Sequence, residues 1–327
     1  MKAWQVSRLG EPEDVLELTE VPRPVPGPGQ LLVRVRAAAA NFFDPLMIQG
    51  NYQVRPSLPF TPGSELCGEV IEVGENVAGF ARGDRVIGSA ALPHGAFAEY
   101  AVMDAPAVFT APAALDDAEA APFFVTYQTG WFGLHRRAHL AAGETLLVHA
   151  AAGGVGSGAV QLGKAAGARV IGVVGGQEKA AVARELGADV VVDRYAEDFV
   201  AVVKEVTGGR GADVVYDPVG GDAYARSTKC IAFEGRIVIV GFASGTIPTA
   251  TLNHALVKNY SILGLHWGFY ARVDREAVVD CQAELTRLAD AGLIRTLVSE
   301  RLPLSGVPDA LRRLGAGSTT GRIVFQP

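Results

Sequence analysis

The sequence predicts an α/β protein of two domains, a small barrel-like β domain and a doubly wound parallel sheet. Three observations carry that prediction. An apolar strand runs into a glycine-rich turn and then a helix over residues 146–159. Strands and helices alternate after Pro122, and short strands bounded by glycine turns fill the chain before about Ala121. Alternating strand–helix units make parallel sheets, whereas closely spaced strands with glycine turns make sandwiches or barrels.

The β-rich part opens with Val21-Pro22-Arg23-Pro24-Val25-Pro26, a stiff proline-punctuated connection. Strands are expected at 31–37, 68–74, 84–88 and 96–102, each apolar or partly alternating and most bounded by glycine. After Pro122, parallel strands are expected at 145–149, 169–173, 190–193, 213–217, 236–240 and 261–265. Helices at 178–186, 196–207 and 222–231 fall between them. A further helix at 276–291 precedes a last strand at 320–325, which could return to the first domain. The expected division is 1–122 plus 268–327 for the first domain and 123–267 for the second.

Composition narrows the function classes. The chain has 327 residues, of which 49% are hydrophobic and 20% charged, so a core can form and disorder is not expected. No apolar run reaches the roughly 18 residues of a membrane span. The start, Met1-Lys2-Ala3-Trp4, lacks a charged-then-apolar leader pattern. A net charge of −6 argues against a general nucleic-acid surface. Cys67, Cys230 and Cys281 are widely spaced, read as small core residues, and fit a reducing, cytoplasmic setting.

Gly153, Gly154, Val155 and Gly156 form the turn, and Gly154, Gly156 and Ala159 fit G-x-G-x-x-G/A. Glycine there permits the tight turn and lets backbone approach a pyrophosphate, and the helix N-terminus offers free N–H groups to it. A helix continues to Ala166, Gly167 stops it, and the second strand follows, which completes a β-α-β dinucleotide unit.

The motifs Pro62-Gly63-Ser64-Glu65, Gly83-Asp84-Arg85-Val86, Ala151-Ala152-Gly153-Gly154-Val155-Gly156 and Asp213-Val214-Val215-Tyr216-Asp217-Pro218-Val219-Gly220-Gly221 follow in order. With Gly235-Arg236-Ile237-Val238 and Gly241-Phe242-Ala243-Ser244-Gly245, they resemble the medium-chain dehydrogenase/reductase superfamily. The likeness is to its zinc-independent quinone oxidoreductase (zeta-crystallin-like) branch and spans essentially the whole chain. It implies a GroES-like domain, a Rossmann domain and a cofactor cleft between them. Zinc alcohol dehydrogenases of the superfamily carry Gly-His-Glu and an earlier cysteine; here these places read Gly63-Ser64-Glu65 and Ala40-Asn41-Phe42-Phe43-Asp44, so no metal is expected.

In NAD sites a carboxylate ends the second strand and holds the ribose 2′-OH. Here that place reads Val173-Val174-Gly175-Gly176-Gln177-Glu178-Lys179, with no acid at the strand end, and Glu178 is read as opening the next helix. The resemblance places Lys179 at the 2′-phosphate of NADPH and Arg194 where relatives usually carry tyrosine; a slip of one position would put Tyr195 there. Both cations also fit an ordinary solvated surface. NADPH is the expected cofactor. By position, the resemblance adds Asn41, Asp44, Thr129, Gly241, Phe242 and Arg322 as cofactor contacts.

Tyr52, in a stretch resembling Gly-x-Tyr-Pro with Gln53 replacing the proline, is the candidate proton donor. A positioning or stacking role, or water as donor, stays open. The implied activity is zinc-independent reduction of a quinone or α,β-unsaturated carbonyl compound by NADPH. The alternative is a non-enzymatic NADPH-binding sensor or crystallin-like protein. Expected partners are a small-molecule acceptor and a second copy in a homodimer, with no nucleic acid and no membrane.

Overall fold

A computed structural model describes all of Met1–Pro327. It divides into two compact units, Met1–Val125 with Arg295–Pro327, and Thr126–Ile294. The helix Arg275–Asp290, expected with the first domain, belongs to the second unit. Its buried face of Val278, Cys281, Gln282 and Leu285 explains why, since Gln128 Nε2 donates to Gln282 Oε1 at 3.1 Å inside that unit.

The first unit is built on the long strand Gln30–Ala39. It pairs antiparallel with Glu65–Val73 along most of its length, with Tyr100–Asp104 at its start and with Arg322–Gln326 at its end. The C-terminal strand therefore does return to this domain, with Val324 opposite Ala39. Val298–Pro303 extends that side, and Arg85–Ser89 and Val108–Thr110 extend the other. Ala37, Ala38, Ala39 and Ala40 are all buried, and the chain then turns through Asn41 into the short helix Phe43–Ile48. That turn sets Asn41 and Asp44 at the inner end of the long strand.

The second unit holds a six-stranded sheet, every pairing of which is parallel. In spatial order the strands are Val190–Asp193, Arg169–Val174, Thr145–His149, Ala212–Asp217, Ile231–Ile239 and Ser261–Gly264. Numbered along the unit this is 3-2-1-4-5-6, the doubly wound order. Its direction of growth reverses between Thr145–His149 and Ala212–Asp217, and ligands of such sheets bind beyond the carboxyl ends of strands at that reversal. Thr145–His149 is buried throughout, as a strand covered on both faces must be. No helix is long and apolar enough to cross a membrane.

Candidate functional site

The glycine turn lies at the carboxyl end of Thr145–His149, beside the reversal. Gly153 precedes the helix Gly154–Ala165, which has no side-chain cap. The first intrahelical bond is Ser157 N–H to Gly153 O at 2.9 Å, which leaves the N–H groups of the first turn for an anion. A Cβ on Gly156 would stand 2.1 Å from the Ala150 carbonyl oxygen, so no other residue fits that helix turn against the strand end. Thr129 is buried in the helix Phe123–Trp131, whose Gly130 packs close to Leu162 and Ala159 of the glycine-turn helix.

At the end of the second strand the backbone is clamped by an acid from the third. Asp193 accepts from Gly176 N–H at 2.9 Å and from Tyr195 N–H at 3.1 Å, and these bonds hold its carboxyl below the usual range. Asp193 is thus spent on the loop backbone. Arg194 and Tyr195 follow it, and both are exposed. The Arg194 guanidinium lies over the Tyr195 ring, 5.1 Å from its centroid, and Nη2 donates to the phenol oxygen at 3.1 Å. A Cβ on Gly175 would meet the Tyr195 ring and hydroxyl at 3.1 Å and Arg194 Nε at 3.2 Å, so the loop backbone lies against both side chains. Lys179 enters from the helix Gln177–Glu185; Arg194 first, then Lys179, lower the Tyr195 phenol's pKa. Arg194 and Tyr195, the two readings of this position, lie together beside Gly175. Glu178 is exposed in the first helical turn.

The fourth and fifth strand ends meet through backbone. Val240 and Gly241 N–H both bond the Asp217 carbonyl, at 2.9 and 3.4 Å, and Phe242 packs near Gly220. The Asp217 carboxyl accepts Val219 and Gly220 N–H through Oδ1, and its buried Oδ2 has no partner. His149 Nε2 lies 2.8 Å from Ser227 Oγ, and burial depresses its pKa to about 4 against the pull of Asp217. It is a neutral, satisfied core histidine.

In the first unit Asn41, Asp44 and Arg322 come together around Glu65. Asp44 is 1% exposed, Glu65 0% and Arg322 5%. Arg322 Nη2 donates to Glu65 Oε2 and to Asn41 Oδ1, both at 2.8 Å. Glu65 also accepts Asn41 Nδ2 at 3.2 Å and Val125 N–H at 2.6 Å. Burial pushes the Glu65 carboxyl up, while Arg322 and these donors oppose it. Asp44 Oδ2 accepts Asn41 N–H at 2.7 Å. Burial raises the Asp44 carboxyl to about 7, with Asn41 N–H, Arg322 and Ser64 pulling down and Glu65 pushing up. Tyr52 is half-buried and stacks on Phe43, with ring centroids 5.2 Å apart and planes at 16°. Its pKa is raised by burial and then by Asp44.

Residues 27–113 match the alcohol dehydrogenase GroES-like domain family, and residues 154–283 match the zinc-binding dehydrogenase family. A quinone oxidoreductase-like protein 2 homologue from Nematostella vectensis is 38% identical over 301 residues, covering 91% of this chain and 82% of the relative. The chain belongs to the medium-chain dehydrogenase/reductase superfamily, among its quinone oxidoreductases. The Escherichia coli quinone oxidoreductase, solved in complex with NADPH, superposes with a TM-score of 0.91 at 33% identity and full coverage of both chains. A 2-haloacrylate reductase superposes with a TM-score of 0.85 at 32% identity, covering 100% of this chain and 99% of that one.

One matched family of this superfamily is described as zinc-binding, yet the side chains here do not fit a catalytic zinc. No group of three or more His, Cys, Asp or Glu side chains converges on one point. Ser64 stands where the zinc enzymes carry histidine. Both oxygens of Glu65 are already engaged, and burial pushes the Cys67 thiol far above the range in which it would ionise to a ligand. One residue of these sites was not given a role from the sequence: Glu65, the partner of Arg322. The signal was an acid at the head of the apolar stretch Leu66-Cys67, ahead of the more exposed Glu72 of the same strand.

Removing one partner of a buried ion pair strands the other. Arg322→Met is therefore expected to cost about 3–5 kcal/mol in urea unfolding, and adding Glu65→Gln should recover part of it. A double variant no more stable than Arg322→Met would show that the pair carries no such coupling.

Proposed function

We propose that this chain is an NADPH-dependent, zinc-independent reductase of a quinone or an α,β-unsaturated carbonyl compound. The observation that carries this reading is the end of the second Rossmann strand. It offers no carboxylate to a ribose 2′-OH, and it gathers Arg194, Lys179 and the Tyr195 hydroxyl around Gly175. A guanidinium and an ammonium suit a 2′-phosphate. The NADPH complex of the similar Escherichia coli enzyme supports the same cofactor. Gly153, Gly154, Val155 and Gly156 would hold the pyrophosphate, and the Gly241-Phe242 backbone and Thr129 would lie toward the nicotinamide. Bound NADPH supplies a hydride.

Ser64 and the fully engaged Glu65 give the first unit no ligand set for a Lewis-acid metal, which favours an acceptor that spreads the incoming negative charge onto its own oxygen. Quinones and conjugated carbonyls do this. The likeness to a 2-haloacrylate reductase supports the conjugated class as well as the quinone class. Asn41 and Arg322 act by fixing the buried cluster, and Tyr52 is the half-exposed acid beside it.

The open edge strand Ser261–Gly264 pairs on one side only. Beside it Leu252, Leu256 and Val257 of the helix Leu252–Lys258, with Ile247, are each more than 70% exposed. A second copy offers the same row of backbone donors and acceptors by two-fold symmetry, so we place the homodimer at this edge. Free, buried Cys67, Cys230 and Cys281 support a reducing, cytoplasmic setting.

Three outcomes are expected. NADPH oxidation with a panel of quinones, enones and acrylates should survive a chelator and exceed the rate with NADH; no turnover with any acceptor, despite NADPH binding, would favour a sensor. Lys179→Ala or Arg194→Ala should raise KM for NADPH about ten- to a hundredfold, the loss of a charged hydrogen bond, with little change for NADH. Equal effects on both cofactors would remove the phosphate role. Leu256→Lys with Val257→Lys should give a monomer in light scattering with cofactor binding retained; a dimer that persists would move the interface elsewhere.

A further inference from the structure

The sixth strand of the second unit, Ser261–Gly264, ends beside the fifth. Leu265 N–H donates to Ile239 O at 3.0 Å, two residues before Gly241. Residues 266–273 thus leave the carboxyl edge of the sheet, the side on which doubly wound sheets take ligands. They run through one 3₁₀ turn, Trp267–Phe269, into the short helix Tyr270–Val273. Two contacts anchor them. The Tyr270 ring packs on buried Phe132 with centroids 4.4 Å apart. Asp274 caps the helix Arg275–Asp290 through Ala277 N–H, and its other oxygen meets Arg136 at 3.2 Å. A spacing of three then brings His266, Phe269 and Arg272 to one face. The His266 and Phe269 rings stack with planes at 19° and centroids 6.4 Å apart, and the Arg272 guanidinium lies 5.9 Å from the Phe269 centroid. All three side chains are exposed, as is Val273.

This stack seals no core, and its cation has no counter-ion. Arg272 pairs with no carboxylate; Asp274, the only acid of residues 265–274, has both oxygens engaged elsewhere. Arg194 is held on the Tyr195 ring in the same way. We propose that Arg272, supported by Phe269 and His266, binds a carboxylate of the acceptor, so that the chain selects conjugated carbonyl compounds that are acids over neutral quinones. This deepens the reductase reading and rests on it. A planar guanidinium presents a fork that fits one carboxylate in two parallel hydrogen bonds. A phosphate dianion would call for a second cation, and the neighbouring Arg136 is already paired. Phe269 and Val273, 49% and 62% exposed, offer apolar surface next to the fork for the hydrocarbon part of such an acid. The placement suits the role, because the strand that carries the stack ends beside the Gly241-Phe242 backbone assigned above to the nicotinamide side.

The test separates the subsite from the reaction. In calorimetry on the NADP+-loaded protein, benzoate should bind wild type and bind Arg272→Leu about ten- to a hundredfold more weakly, the loss of a charge-assisted hydrogen bond. Benzamide, its neutral counterpart, should not distinguish the two proteins. Arg272→Lys keeps the charge without the fork and should recover part of the loss. Phe269→Leu removes the ring beneath the guanidinium and should weaken benzoate in the same direction by less. In turnover, Arg272→Leu should raise KM for crotonate by a similar factor and leave KM for methyl crotonate, for a neutral quinone and for NADPH unchanged. Reduction of methyl crotonate or a quinone, with benzoate and crotonate indifferent to Arg272→Leu, overturns the subsite and leaves the reductase reading standing. Benzoate binding that depends on Arg272, in a protein that reduces none of these acceptors, overturns the reductase reading and keeps Arg272 as an anion site. Neither binding nor turnover overturns both.

Discussion

One buried guanidinium organises the first unit. Arg322 begins the last strand of the chain, and its contacts with Glu65 and Asn41 tie that strand to Glu65–Val73 and to the turn that follows Gln30–Ala39. The pairing of Val324 with Ala39 continues the same junction through backbone. Burying a guanidinium and a carboxylate together is costly unless each hydrogen bond is satisfied. Here the satisfaction is reciprocal: Asn41 accepts from Arg322 and donates to Glu65, while Val125 N–H closes the other carboxylate oxygen. The strain falls on the neighbour. Asp44 is brought to the same place by the Asn41 turn and receives too few donors to ionise cheaply.

The second unit meets an analogous problem with the opposite solution. Its second and third strands end next to each other, and an acid does occur there, as Asp193. The loop uses both of that acid's obvious partners, Gly176 N–H and Tyr195 N–H, so the carboxylate serves the backbone. What remains facing outward is positive. Arg194 stacked on Tyr195 is a pre-oriented cation, since a planar guanidinium held on a ring loses less freedom on binding an anion than a solvated side chain does. A small residue at position 175 is a condition of that arrangement, because a side chain there would press on both groups.

Much of this was legible in the sequence because it is local. The expected strand 190–193 is met by Val190–Asp193, and 145–149 by Thr145–His149. Their apolar runs, bounded by turns, need no distant partner to be read. The strand expected at 96–102 begins instead at Tyr100. Gly95, Ala96 and Phe97 send their N–H groups to the carbonyls of Thr61, Gly63 and Pro62, so a loop pairing remote in sequence decides their conformation. The role of Glu65 was hidden for the same reason, since its partner lies 257 residues away. Helix Arg275–Asp290 has a pattern that reveals its buried face but not the unit that face packs on. Periodicity states that a residue is inside and leaves open what it meets there.

Local and long-range pairing also separate this site from that of a zinc dehydrogenase. A zinc dehydrogenase stabilises charge on oxygen with a cation, and its ligands can be recognised from spacing. This chain has serine at the telling position and leaves its neighbouring acid paired with arginine. On the proposed function, stabilisation of the reduced oxygen is left to the acceptor's own conjugation. The buried cluster then serves the fold first: Glu65 keeps its charge paired with Arg322, and Asp44, with one backbone donor and no exposure, is pushed up by burial to about 7.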